Sequence, residues 1–268
     1  LDNRPIGVFD SGIGGLTTVK ELEKRLPHED IIYFGDTGRV PYGTRSEETI
    51  IRYARQDVRF LRRFDIKAVI IACGTASSVA LNDLKQSFDL PVIGVVEGAA
   101  YAAARAAKNK RIGVIGTNAA IQSGAYHRKL KEIDADIEIV SKACPLFVPL
   151  VENGRISRDD TVLKLIIEEY LSEIRAAEVD TLILGCTHYP VIADAIGEFM
   201  GERVTLINPG LEAVDRLCAL SAFGESAPKT GRVRFFVSDD RQSFEKQASL
   251  FLGRKLSGSV GLVNIDEI

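Results

Sequence analysis

The sequence predicts an α/β protein of two similar lobes, each a mostly parallel sheet flanked by helices. The lobes are expected to be related by pseudo-two-fold symmetry, with an active site between them. Three observations carry this reading. Short aliphatic segments alternate along the chain with longer segments of helical period, the pattern of βα units. The segments fall into two series that correspond in order: PIGVFDSG (5–12) with RIGVIGTN (111–118), and LPVIGVVEGA (90–99) with RVTLINPGLEA (203–213). In the same register, AVIIAC (68–73) and TLILGC (181–186) each end on a cysteine followed by small polar residues. The repeat is far too long for a solenoid.

The strands of the first series are IGVFD (6–10), IIYFGD (31–36), AVIIAC and PVIGVV (91–96). Those of the second are RIGVIGT (111–117), IEIVSKA (137–143), TLILGC and RVTLINP (203–209), and VRFFVS (233–238) lies beyond both. Helices fit between them. Residues 46–64 open on Ser46 as a cap and place Ile50, Ala54, Val58 and Leu61 on one face. Residues 188–201 carry Pro190 in the first turn and Gly201 at the stop. The turn-rich GESAPKTGR (224–232) reads as a loop. Residues 1–97 with 209–268 are expected to form one lobe, and residues 98–208 the other.

Composition narrows the function. The chain has 268 residues, 46% hydrophobic and 26% charged, with a net charge of −3 and scattered Lys and Arg. No basic stripe suggests a nucleic-acid partner. No apolar run approaches the roughly 18 residues of a membrane helix. The first strand-like segment begins at Ile6, so no signal peptide and a cytoplasmic location are expected, with the proviso that the chain opens on Leu1. Cys73, Cys144, Cys186 and Cys218 include no CxxC spacing, and His28, His127 and His188 are the only histidines. This suits reduced thiols better than a disulfide scaffold or a structural zinc site.

In open parallel sheets, ligands bind outside the carboxyl ends of the strands. Cys73 and Cys186 each sit at such an end with a helix start just after, which is expected to lower the thiol pKa from about 8.5 toward neutrality. FDSGIGGLT (9–17) brings Asp10, Ser11 and three glycines to a strand-to-helix turn able to present N–H groups to an anion. It fits neither dinucleotide nor P-loop spacing. In GDTGRVPYG (35–43), Tyr42 and Gly43 are candidate donors to a carboxylate. In CTHYP (186–190), His188 stands two residues from a cysteine and can hold or share its proton. Glu152 follows an apolar, Pro-bracketed stretch. Cys144 and Cys218 lack the strand-end pattern and read as structural, as do His28 and His127 in polar surroundings.

Together FDSGIGG, GDTGRVPYG, ACGTAS, ACPLFVPLVE and GCTHYP resemble the glutamate racemases of the cofactor-independent aspartate/glutamate racemase superfamily. The resemblance spans about residues 5 to 265. It implies interconversion of L- and D-glutamate by two cysteines on opposite faces of the amino acid, with D-glutamate passing into peptidoglycan. It implies no cofactor, no metal and a homodimer. Cys73 and Cys186 would be the acid/base pair, assisted by Asp10 and His188, with Glu152 near the second thiol. Ser11, Tyr42, Gly43, Thr75 and Thr187 would hold the ammonium and carboxylate groups. A related racemase acting on aspartate or another small amino acid is the alternative. One departure stands out: the family usually has Cys-Asn-Thr where this chain has Cys73-Gly74-Thr75. Gly74 removes a substrate-contacting amide, so Gly74→Asn is expected to lower KM.

Overall fold

The computed structural model describes residues 2–220 and 230–267, so most of the loop expected at 224–232 lies outside the described residues. The first series opens with β1 (Ile6–Asp10), α1 (Leu16–Arg25) and β2 (Ile31–Gly35). Two short 3-10 turns, Thr37–Arg39 and Tyr42–Thr44, lead to α2 (Glu47–Arg62). Then follow β3 (Ala68–Ile71), α3 (Gly74–Ser87), β4 (Val92–Gly94) and α4 (Val95–Ala106). The second series comprises β5 (Arg111–Gly116), α5 (Asn118–Gln122), α6 (Ala125–Ile133), β6 (Glu138–Ala143), α7 (Phe147–Glu152) and α8 (Thr161–Ala176). It continues with β7 (Thr181–Gly185), α9 (Ala193–Met200), β8 (Thr205–Ile207) and α10 (Pro209–Cys218). The chain closes through β9 (Val233–Val237), α11 (Arg241–Leu252) and β10 (Val260–Leu262).

The strands form two sheets, ordered β10-β9-β2-β1-β3-β4 and β6-β5-β7-β8, with every pairing parallel. The order 2-1-3-4 of the first series recurs in the second. The internal likeness of the sequence is therefore a likeness of topology. In each sheet the order reverses between the first and third strands of the series, the place where open α/β sheets bind ligands. Asp10 and Cys73 flank that point in one sheet, and Thr117 and Cys186 flank it in the other.

Both faces of each sheet are covered, which is why the strands read as near-continuous aliphatic runs. Phe9, Ile32, Phe34, Val69 and Ile71 pack against Ile50, Ala54, Val58 and Leu61, the predicted face of α2. Ser46 caps that helix as expected, accepting from the Thr49 amide. On the far face of the second sheet, Ile112, Val114 and Ile183 meet Ala99 and Ala103 of α4 and Leu130 of α6. Between these two outer cores runs a shared one. It joins Val8, Tyr33 and Ile70 of the first sheet to Ile115, Leu182 and Leu184 of the second. The two sheets are thus set relative to one another by buried apolar packing.

The elements depart from expectation at four places. The segment expected as one helix over 188–201 begins as a 3-10 turn, Tyr189–Ile192, before α9. Val95 and Val96 open α4 rather than continuing a strand, because the alanine-rich run that follows favours helix. The tail adds an edge strand, β10, whose three residues are too short to show alternation. Cys144 directly follows β6, so it does occupy a strand end, although the edge strand before it is half-exposed and lacks a continuous aliphatic run. Helix α9 stops at Gly201 with φ of 91°, a conformation that favours glycine.

Candidate active site

The carboxyl ends of the two sheets face a cleft of about 340 Å³. Its lining includes Ser11, Gly43, Cys73 and Thr75 from one series and Thr117, Glu152, Cys186, Thr187 and His188 from the other. Both thiols are nearly buried, at 5% and 7% exposure, so a ligand there would be largely shielded from water. Among the described residues, the lining holds no lysine or arginine. An anionic ligand would meet hydroxyls and backbone N–H groups instead.

Cys73 is the N-cap of α3, and its sulfur accepts from the Ala76 amide at 3.5 Å while its proton points to Ser11 Oγ at 3.5 Å. The helix start is in place, yet it does not make the thiol acidic. Burial pushes Cys73 up to about 12, with the Asp10 charge adding to the rise. The expected shift toward neutrality is therefore reversed at Cys73: desolvation outweighs the helix terminus. Asp10 is itself buried behind the lining. Its Oδ2 accepts from the Gly12 amide at 3.0 Å, and its Oδ1 has no hydrogen-bond partner. Burial raises this carboxyl, and the nearby His188 charge counters only part of the rise.

The second thiol has different company. Cys186 Sγ lies 3.9 Å from His188 Nδ1, and His188 Nε2 lies 2.9 Å from Glu152 Oε1. Burial alone would depress the imidazole, but the hydrogen bonds to Cys186 and Glu152 prevail and raise it to about 10. The ring is held between a sulfur and a carboxylate. Cys144 is close by in the fold yet plays no part in the lining. It is fully buried beneath Phe147 and Tyr189, donates weakly to the Lys142 carbonyl, and burial pushes it up to about 12. Cys218 is half-buried at the end of α10 and also lies off the cleft.

Hydroxyls tie the two sides together. Thr75 Oγ1 and Thr117 Oγ1 share a 2.8 Å hydrogen bond across the cleft, and Thr17 Oγ1 donates to the Thr187 carbonyl at 3.0 Å. Thr117 and Asn118 line the cleft and were not singled out in the sequence. The signal was present: aligning PIGVFDSG with RIGVIGTN puts Thr117 opposite Ser11. Tyr42 lines the cleft, but its hydroxyl is turned to Asp36 and Asp57 behind the wall. What this loop can offer a carboxylate is therefore the backbone around Gly43 rather than the phenol.

Gly74 is explained by space. A Cβ there would overlap the Gly185 carbonyl oxygen, immediately before Cys186. The start of α3 and the end of β7 meet backbone to backbone, with no room for a side chain as they stand. Gly14 is held by the same constraint, since a Cβ there would collide with Thr187 Oγ1 and come within 2.5 Å of His188 Nδ1. The expectation that asparagine at 74 simply adds a contact therefore gives way to a steric one.

The fold and its relatives make this an α/β enzyme of the amino-acid racemase class. The chain belongs to the Asp/Glu/Hydantoin racemase family, whose model matches residues 15–217. Among its relatives, the glutamate racemase of Geobacter metallireducens is 47% identical over 98% of this chain and 97% of that protein. The crystal structure of glutamate racemase from Francisella tularensis in complex with D-glutamate matches with a TM-score of 0.91 and 40% identity, covering 100% of both chains. A Bacillus anthracis glutamate racemase structure matches at 0.93 and 38% identity, covering 98% of each.

Two outcomes are expected from this geometry. Gly74→Ala and Gly74→Asn should each lower kcat by about tenfold or more, because the β7 end must move and the thiols with it; steady-state kinetics with both enantiomers measure this, and an Asn variant with lower KM and unchanged kcat would contradict it. Glu152→Gln should shift the His188 titration downward from about 10, since a raising partner is lost. Nitrogen-15 NMR of the imidazole reads that shift directly. Folding raises this histidine from 6.5 to about 10, so its contribution to stability is whole below pH 6.5 and lost as pH rises through 10.

Proposed function

We propose that the protein interconverts L- and D-glutamate without a cofactor, by proton transfer to and from the α-carbon through two thiols, and supplies D-glutamate for peptidoglycan synthesis. The same reading carries a homodimer in the cytoplasm. The observation behind it is the position of Cys73 and Cys186 at matching strand ends on opposite sides of one cleft. The substrate comes from the relatives, which are glutamate racemases at 42–47% identity.

Racemisation removes a proton from one face of the α-carbon and returns one to the other. A single base could do this only by moving or by exchanging its proton with solvent. Two bases on opposite faces need neither. With L-glutamate bound, Cys186, once its proton rests on His188, takes the α-proton, and the Cys73 thiol delivers its own to the opposite face. Burial suits Cys73 to the acid role, since it keeps the proton on sulfur until the carbanion needs it. The His188 imidazolium places positive charge beside Cys186, and Glu152 holds the ring in position.

The reverse direction uses the same groups with protons exchanged. Asp10 takes the Cys73 proton on its unpartnered Oδ1, and His188 returns a proton to Cys186. Atoms and charges balance in both directions, because each turnover moves one proton from carbon to sulfur and another from sulfur to carbon. The α-proton is weakly acidic, so the developing charge needs preorganised donors in a site that excludes water. In this reading hydroxyls of Ser11, Thr75, Thr117 and Thr187 hold the carboxylates and ammonium, with backbone N–H groups near Gly43 and Gly74 donating to the carboxylates.

Purified protein incubated with L-glutamate and no added cofactor should yield D-glutamate on chiral analysis, and in D₂O the product enantiomer should carry deuterium at the α-carbon. Activity that requires added pyridoxal phosphate or a metal would overturn this. Cys73→Ala and Cys186→Ala should each reduce racemisation in both directions by about 10²-fold or more. Cys144→Ala and Cys218→Ala should leave it nearly unchanged, since neither thiol reaches the cleft.

A further inference from the structure

Behind the cleft wall formed by Val40–Thr44 lies a cluster of polar groups that the racemisation mechanism does not use. Asp36, at the end of β2, and Asp57, on α2, are both fully buried. The Tyr42 hydroxyl stands between them, 2.5 Å from Asp36 Oδ2 and 3.0 Å from Asp57 Oδ2. A phenol has one proton, so it can donate to only one of two carboxylates. The other contact brings two oxygens to hydrogen-bond distance and requires a proton of its own.

The surrounding donors decide which carboxyl holds it. Asp36 accepts from Arg39 Nε at 2.6 Å, from Ser238 Oγ at 2.8 Å and from Tyr42. It is ringed by donors, as a carboxylate should be. Asp57 receives Arg39 Nη2 on Oδ1 at 3.0 Å, while its Oδ2 meets the tyrosine oxygen. We propose that Asp57 is a carboxylic acid at neutral pH, donating from Oδ2 to Tyr42, and that this chain of Asp57 to Tyr42 to Asp36 positions the cleft wall for substrate.

Charge agrees with the proton count. Arg39 and an ionised Asp36 cancel, and a second buried carboxylate would leave the cluster with an uncompensated negative charge. Burial, then the Asp36 charge, push Asp57 well above the usual carboxylate range, against the pull of Arg39. The groups that face Asp57 are Asp36, Arg39 and Tyr42, with Asp10 of β1 adding negative charge. Helix α3 also packs on α2, but its Asp83 is engaged with Arg55 at 2.6 Å. The wall is fastened from the other side too, by Gly38 N to Ser238 Oγ at 2.8 Å and by Asp239 N to Thr37 Oγ1 at 2.9 Å. Tyr42 is the link between these fastenings and the residues that line the cleft.

The kinetic consequence rests on the racemase reading, whereas the protonation state does not. Carbon-13 NMR of labelled aspartate, with Asp57 assigned by Asp57→Asn, should show a carboxylic-acid shift at neutral pH; a carboxylate shift would overturn the proposal whether or not the protein racemises glutamate. In Asp57→Asn the amide nitrogen can donate to Tyr42 and the amide oxygen can accept from Arg39. Its KM for glutamate should stay within about threefold of wild type at neutral pH and should lose the alkaline rise expected of wild type as Asp57 ionises. Asp57→Leu, of similar size but without a donor, should raise KM about tenfold with a smaller change in kcat. An alkaline rise in KM retained by Asp57→Asn, or absent from wild type, would overturn the positioning role. Absence of any turnover in wild type would instead count against the racemase reading and leave the NMR result to decide Asp57.

Discussion

The active cleft depends on two backbones meeting without side chains between them. Gly74 at the start of α3 lies against the carbonyl of Gly185 at the end of β7, and Gly14 lies against Thr187 and His188. Each contact is one residue or a few from a thiol that lines the cleft. Any Cβ at these points would act as a wedge between the two sheets. The apolar core shared by both sheets presses them together, and the glycines set how far that closure goes. Thr75 with Thr117, and Thr17 with Thr187, then lock the closed arrangement by hydrogen bonds.

Symmetry of the backbone is not matched by symmetry of charge. Both thiols follow the third strand of a 2-1-3-4 sheet, yet Cys73 sees a buried carboxyl and Cys186 sees an imidazole paired with a carboxylate. Under the proposed mechanism the protein serves two substrates of equal free energy from one structure, so it needs one protonated and one deprotonated sulfur at a time. Different partners make those two states distinct rather than degenerate. Asp10 favours a proton staying on Cys73, whereas Cys186 has the His188 ring beside it.

Much of this was legible in the sequence because parallel strands buried on both faces leave continuous aliphatic runs, and strand ends then stand out by contrast. IIAC before GTAS and LILG before CTHYP mark both thiols without any structure. The 2-1-3-4 order and the angle of closure were not legible, since they arise from pairings between distant segments. Cys144 shows the limit well. It too follows a strand, but that strand is a half-exposed edge, so IEIVSKA lacks the continuous aliphatic run that marks the other two. The weak acidity of Cys73 was not legible for a related reason. A helix start can be recognised from Cys-Gly-Thr, whereas the desolvation that overrides it depends on how closely the two sheets approach.

The roles of the cleft hydroxyls follow from what the lining omits. An arginine or lysine among the lining residues would hold an anionic amino acid tightly, but it would also stabilise the ground-state carboxylate as much as the transition state. Under the proposed racemisation it would place a fixed positive charge on one side of a site that serves two mirror-image ligands. Neutral donors from Ser11, Thr75, Thr117 and Thr187, supplied from both sheets, avoid that bias. In the proposed mechanism positive charge enters at His188, where it is coupled to the proton on Cys186 and is compensated by Glu152 when that proton moves. The charge of the cleft therefore changes with the chemistry, and burial of both thiols keeps each change strong enough to matter.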